Sequence, residues 1–173
     1  MNVAEIKKTD IANGEGVRVS LFVSGCRRHC KNCFNGVAWD FHYGIPFDAT
    51  VQEDILQSLA PDYIAGLSVL GGEPFEPENQ RALLPFLREV KRRLPHKTVW
   101  CYTGYTLDLS DMKETQANAE VTRELLGLID VLVDGPFIEE LKDIRLKFRG
   151  SSNQRVIDMQ QSLFKGSIVL YLE

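Results

Sequence analysis

Apolar positions along the chain recur with two periods. Val17, Val19, Leu21 and Val23 occupy every second position, the spacing of a strand with one buried face. Val51, Ile55 and Leu59 recur every fourth position, a helical stripe. Thr50 and Glu53 are spaced as a capping box at its start, and Pro61 stops it. Leu67 to Leu70 is a short apolar strand that runs into Gly71-Gly72. Leu83, Leu87, Val90 and Leu94 share a helical face, and Pro85 falls inside that stripe, so this helix is expected to start late or to kink. Thr98 to Tyr102 is β-branched and aromatic and predicts a strand, residues 120–128 a helix, and Ile129 to Val133 a further strand. Ile168 to Leu172 predicts a last strand or a packed tail. Strands that alternate with helices predict an α/β fold, with a mostly parallel sheet and right-handed crossovers.

The unusual residues follow the strands. Cys26 to Cys33 follow the first, Gly71-Gly72-Glu73-Pro74 the second, Thr103-Gly104-Tyr105 the third and Asp134-Gly135-Pro136 the fourth. In a parallel sheet or barrel these turns converge at the carboxyl ends of the strands, where such folds place their sites.

Composition narrows the class. With 173 residues, 44% hydrophobic and 25% charged, the chain fits one globular domain over 1–173 and excludes collagen-like, mucin-like or wholly disordered chains. The 20 basic residues against 24 acidic ones give a net charge of −4, which argues against a nucleic-acid partner. No apolar run is long enough to span a membrane, and the opening MNVAEIKKTD lacks an apolar signal core, so a cytoplasmic location is expected.

Three of the four cysteines, Cys26, Cys30 and Cys33, form a C-x3-C-x2-C cluster, a density that in a reducing compartment points to metal rather than disulfides. Three thiolates on one loop can hold three corners of a cubane iron–sulfur cluster and leave the fourth iron open to a substrate. The alternative is structural zinc, with His29, His42 or His96 as fourth ligand, although no second cysteine pair of the usual spacing exists. Gly71 and Gly72 allow a ligand close to the backbone, and Glu73 offers an acceptor for an ammonium group; a plain strand-to-helix turn is the bland reading. Cys101, between Trp100 and Tyr102, reads as a buried thiol of the core.

The cysteine motif after one strand and Gly-Gly-Glu-Pro after the next resemble the radical S-adenosylmethionine enzymes. Asn13-Gly14-Glu15-Gly16-Val17-Arg18, leading to Phe22-Val23-Ser24-Gly25-Cys26, resembles the signature of the glycyl-radical-activating branch. Trp100 to Tyr105, Val133 to Phe137 and Arg149 to Gln154 narrow the resemblance to those members that act on anaerobic ribonucleotide reductase. It covers about Asp10 to Gln154.

The resemblance implies the following. The fold is an open, partial (β/α) barrel, since a full one takes about 250 residues. Cys26, Cys30 and Cys33 ligate a [4Fe–4S] cluster, whose open iron is chelated by the amino and carboxylate groups of S-adenosyl-L-methionine. One electron from the reduced cluster cleaves the sulfonium, and the 5′-deoxyadenosyl radical takes a hydrogen atom from a glycine of the large reductase subunit, leaving a glycyl radical there. A reduced flavodoxin is the implied electron donor. Gly71, Gly72 and Glu73 hold the methionine ammonium, and the backbone from Asn32 through Cys33 to Phe34 meets the adenine. Many relatives carry an aromatic residue where this chain has Asn32, so any aromatic contact falls to Phe34 or elsewhere. Thr103 and Asp134 are placed near the ribose, the methionine end or a monovalent cation. Competing readings are a small-molecule radical enzyme akin to 7-carboxy-7-deazaguanine synthase, and a metal-binding or electron-carrying module without catalysis.

Overall fold

The computed structural model describes residues 1–109 and 119–173. Its centre is one eight-stranded sheet. The strands are β1 (Asn2–Asp10), β2 (Val17–Val23), β3 (Ile45–Pro46), β4 (Ile64–Gly71), β5 (Thr98–Tyr102), β6 (Val131–Asp134), β7 (Arg155–Asp158) and β8 (Leu170–Leu172). Their spatial order is β3-β1-β2-β4-β5-β6-β7-β8, with both edges open. The helices are α1 (Ala49–Leu59), α2 (Pro77–Arg93), α3 (Thr122–Gly127) and α4 (Met159–Lys165). This is an α/β fold consistent with an open partial barrel.

The parallel part is the centre: β2, β4, β5 and β6 run side by side, while β1, β3, β7 and β8 add antiparallel pairs at the two flanks. The expectation of a mostly parallel sheet holds where helical crossovers connect the strands. The link from β1 to β2 is too short for a crossover and gives an antiparallel pair.

Both faces of the central strands are covered. Val19, Leu21, Val23, Leu67, Val69, Val99, Cys101, Leu132 and Ile157 join the helices in the main core. Trp100, Val131, Val133 and Val156 form a second cluster, covered by Tyr102, Phe148 and Leu172. Cys101 is therefore the buried thiol the sequence suggested, and burial pushes its ionisation far up.

Two local expectations are corrected. The cap of α1 is Asp48, whose carboxylate accepts from the Val51 N–H at 2.9 Å, so Thr50 and Glu53 lie inside the helix and form no capping box. Helix α2 begins at Pro77 and continues through Pro85, rather than starting late. Pro85 is on the exposed face, where water can take the Arg81 carbonyl that proline leaves unbonded.

The register sets the rim. Val23 pairs with Gly71, Val69 with Cys101 and Tyr102 with Val133. Val23, Gly71, Thr103 and Asp134 therefore stand level at the carboxyl ends of the four parallel strands, and the motifs emerge side by side.

Candidate functional site

The cysteine loop leaves β2 and folds back on itself: Gly25 N–H donates to the Ala38 carbonyl at 2.8 Å and Cys26 N–H to the Trp39 carbonyl at 3.1 Å. Each of the three cysteines is preceded by a residue in the left-handed region: Gly25 (φ 99°), His29 (φ 46°) and Asn32 (φ 59°). Turns of this kind gather backbone N–H groups into anion-binding concavities that recur at iron–sulfur sites. Asn32 is a residue type that tolerates this conformation. All three thiols are free; Cys26 is buried, which pushes its ionisation up, and the other two are half-buried. Among the described residues no three His, Cys, Asp or Glu side chains are gathered around a single-ion position. A cubane differs from a single ion in spreading its thiolates over separate irons. His29 stacks on Trp39, ring centroids 4.5 Å apart. The donor set, free thiols on a nest-forming loop, fits an anionic iron–sulfur cluster.

Beside this loop runs the turn of β4. Gly72 N–H donates to the Val23 carbonyl at 2.7 Å and Glu73 N–H to the Gly25 carbonyl at 2.9 Å. A Cβ at Gly72 would lie 2.7 Å from the Gly25 oxygen and 2.8 Å from the Ala38 oxygen, so only glycine lets the turn lie against the cysteine loop. Gly71 has φ 114° and equally has no room for a side chain against Val23.

Glu73 is only 1% exposed. Its carboxylate accepts from Phe75 N–H (2.9 Å), the Thr103 hydroxyl (2.7 Å) and Gly104 N–H (2.8 Å). Glu73 and Thr103 thus bind the turn of β4 to that of β5. Burial pushes the Glu73 carboxyl up to about 7, although these donors and the charge of Arg28 pull it down. The folded protein therefore takes up the extra proton between the ordinary carboxyl range and about 7, and stability from this group falls as pH rises through that window. In cofactor-free protein, stability should fall less steeply from pH 4.5 to 7 in Glu73→Gln than in the wild type, by at most about 3 kcal/mol. Urea denaturation across that range reads the difference, and parallel pH profiles would contradict it.

Asp134 is fully buried and accepts from Arg155 Nε (2.9 Å), Arg155 Nη2 (2.5 Å) and Leu107 N–H (2.7 Å). Phe34, which follows the last cysteine of the loop, is 84% exposed.

Sequence reasoning missed three residues that hold the loop in place. Buried Glu76 accepts from Arg27 N–H (2.7 Å) and the Arg27 guanidinium (2.5 Å). Asn79 donates to the Ser24 and Glu73 carbonyls, each at 3.0 Å. Arg28 reaches from the cysteine loop to the β5 turn, 4.8 Å above the Tyr105 ring. The available signal for Glu76 and Asn79 was their place in the helix start directly after Gly-Gly-Glu-Pro, where polar side chains face the neighbouring loop.

A family model described as a 4Fe-4S single cluster domain matches residues 12–157. With the α/β sheet and the cysteine loop at its rim, this defines an enzyme of the radical S-adenosylmethionine class. The anaerobic ribonucleoside-triphosphate reductase-activating protein of Haemophilus influenzae is 44% identical over 156 residues, 89% of this chain and 96% of its own. The protein of that name from Escherichia coli K12 is 38% identical over 158 residues (90% and 97%), and that of Enterobacteria phage T4 34% over 165 (95% and 99%). The chain belongs to the family of anaerobic ribonucleoside-triphosphate reductase-activating proteins.

Proposed function

We propose that this protein activates an anaerobic ribonucleotide reductase by reductive cleavage of S-adenosylmethionine and hydrogen abstraction from a glycine of the reductase. The observation that carries the reading is the level rim, on which a free three-cysteine loop lies against the Gly-Gly-Glu turn, in a chain whose relatives are named as activating proteins of anaerobic ribonucleoside-triphosphate reductase. Cys26, Cys30 and Cys33 would hold the [4Fe–4S] cluster. When bound, the cluster supplies the single electron that splits S-adenosylmethionine into methionine and the 5′-deoxyadenosyl group that takes the hydrogen atom.

The chain's own residues orient the reactants. Gly71 and Gly72 bring backbone close to the methionine end. Glu73 fixes that turn against Thr103 and retains acceptor capacity for an ammonium, since a carboxylate offers about four lone-pair positions and three donors are on it. Asn32, Cys33 and Phe34 form the edge assigned to the adenine, with Phe34 free to turn over it. Thr103 acts through Glu73, and Asp134 through Arg155, both as positioning residues. The electron comes from a donor of the flavodoxin type, and the protein works in the cytoplasm. Among the described residues no helix is long and apolar enough to cross a membrane.

Anaerobic reconstitution with iron and sulfide, reduction and addition of S-adenosylmethionine tests the reading. The expected result is 5′-deoxyadenosine, and a glycyl-radical resonance on the reductase once it is added. Iron-loaded, folded protein that forms neither with the reductase present overturns it. Turnover of a small substrate without any protein partner would favour the deazaguanine-synthase-like alternative.

A further inference from the structure

Arg28 is a rim cation without an ion-pair partner among the described residues. It lies between Cys26 and Cys30, and its half-buried side chain turns away from its own loop toward the β5 turn. The guanidinium lies over Tyr105, and the side chain fills the space beside Gly104, where a Cβ would sit 2.5 Å from Arg28 Nε. The Nε is buried and has no hydrogen-bond partner. The other rim arginines are engaged: Arg27 pairs with Glu76 and Glu78, and Arg155 with Asp134. Arg28 acts on Glu73 through its charge, yet no carboxylate forms an ion pair with it among the described residues.

A buried donor without an acceptor is costly, and more so when it belongs to a charged group. A negatively charged acceptor beside the guanidinium removes that cost. A guanidinium matches a carboxylate best, through paired N–H donors in a planar fork. The neighbouring Glu73 has the opposite sign and does not pair with Arg28, and this arrangement complements a zwitterion, with ammonium toward the glutamate and carboxylate toward the arginine. We propose that Arg28 binds the α-carboxylate of the methionine end of S-adenosylmethionine. The assignment rests on S-adenosylmethionine being the cofactor of this rim. It makes the loop that carries the cysteines also a recognition element for the cofactor, and explains why residue 104 is glycine.

The test compares two ligands by equilibrium dialysis on anaerobically reconstituted protein of equal iron and sulfide content. One is S-adenosylmethionine and the other its decarboxylated form, which keeps the sulfonium and the amine. Arg28→Gln should weaken S-adenosylmethionine roughly tenfold or more and change the decarboxylated compound less than about twofold. Arg28→Lys should recover part of the loss. Gly104→Ala keeps the cation but displaces it, and should give the same carboxylate-selective loss. Equal weakening of both ligands would make Arg28 a loop-shaping residue and overturn the proposal, as would unchanged affinity for both. If the wild type binds neither compound, the cofactor reading itself fails, an outcome visible before any variant is made.

Discussion

Cys30→Ala is expected to abolish 5′-deoxyadenosine formation and cluster retention while leaving the fold intact. Cys30 and Cys33 are half-buried on a loop outside both apolar clusters, and their local backbone tie is the 3.1 Å bond from Cys33 N–H to the Cys30 carbonyl. Loss of one thiol there removes little packing, so unfolding of the cluster-free protein should shift by no more than about 0.5 kcal/mol. The same loss removes one of three cubane ligands, and the remaining two leave a second iron open. Cys101→Ala gives the opposite pattern. Cys101 is buried in the main core, so its truncation should cost about 1 kcal/mol of stability and spare iron and sulfide. Iron and sulfide analysis beside urea denaturation separates the two. Full iron and sulfide in Cys30→Ala would remove Cys30 from the ligand set.

The elements that place the site were the ones written in periodic patterns. β2, β4 and β5 carry alternating or continuous apolar residues because the sheet buries both their faces, and each ends at a motif. What escaped detection was written differently. β1 exposes Glu5, Lys7 and Lys8 and buries Val3 and Asp10 far apart along the strand, so no regular apolar alternation marks it. β7 is four residues long, too short for a period to appear. At the site, the cysteines and glycines were legible because metal ligation and close backbone approach each demand one residue type. The clamps of Glu76, Asn79 and Arg28 were not, since a buried polar side chain has the same letter as an exposed one. Arg18 shows this well. It alternates away from the apolar face of β2 and is nevertheless buried. Its acceptors are Ser68, Thr98 and the carbonyls of Glu15, Leu67 and Thr98, and burial lowers its ionisation to about 10. Only the fold reveals that its five N–H groups are all satisfied, by β4, β5 and the loop before β2.

Asp134→Ala is expected to cost about 3 kcal/mol of stability, the largest effect of any single side chain at the rim. The carboxylate is fully buried and joins three segments: the end of β6, the start of β7 through Arg155, and the loop after β5 through Leu107 N–H. Arg155 Nη2 also donates to the Leu107 carbonyl at 2.9 Å, so the pair closes a small network. Removal of the acid leaves Leu107 N–H without its acceptor and Arg155 without its charge partner. Arg155 is about one-third exposed and can turn toward water, which keeps the loss at the low end for a broken buried pair. A double-mutant cycle with Arg155→Gln, read by urea denaturation of cluster-free protein, should show a coupling of about 2 kcal/mol. Affinity for S-adenosylmethionine separates the two roles this residue can have. If Asp134 only positions the rim, Asp134→Asn, which keeps the side chain's size, should change the affinity less than about threefold under conditions where the variant is folded. A loss of tenfold or more with stability unchanged would instead place the carboxylate against the cofactor, and Arg155 would then be the group that presents it.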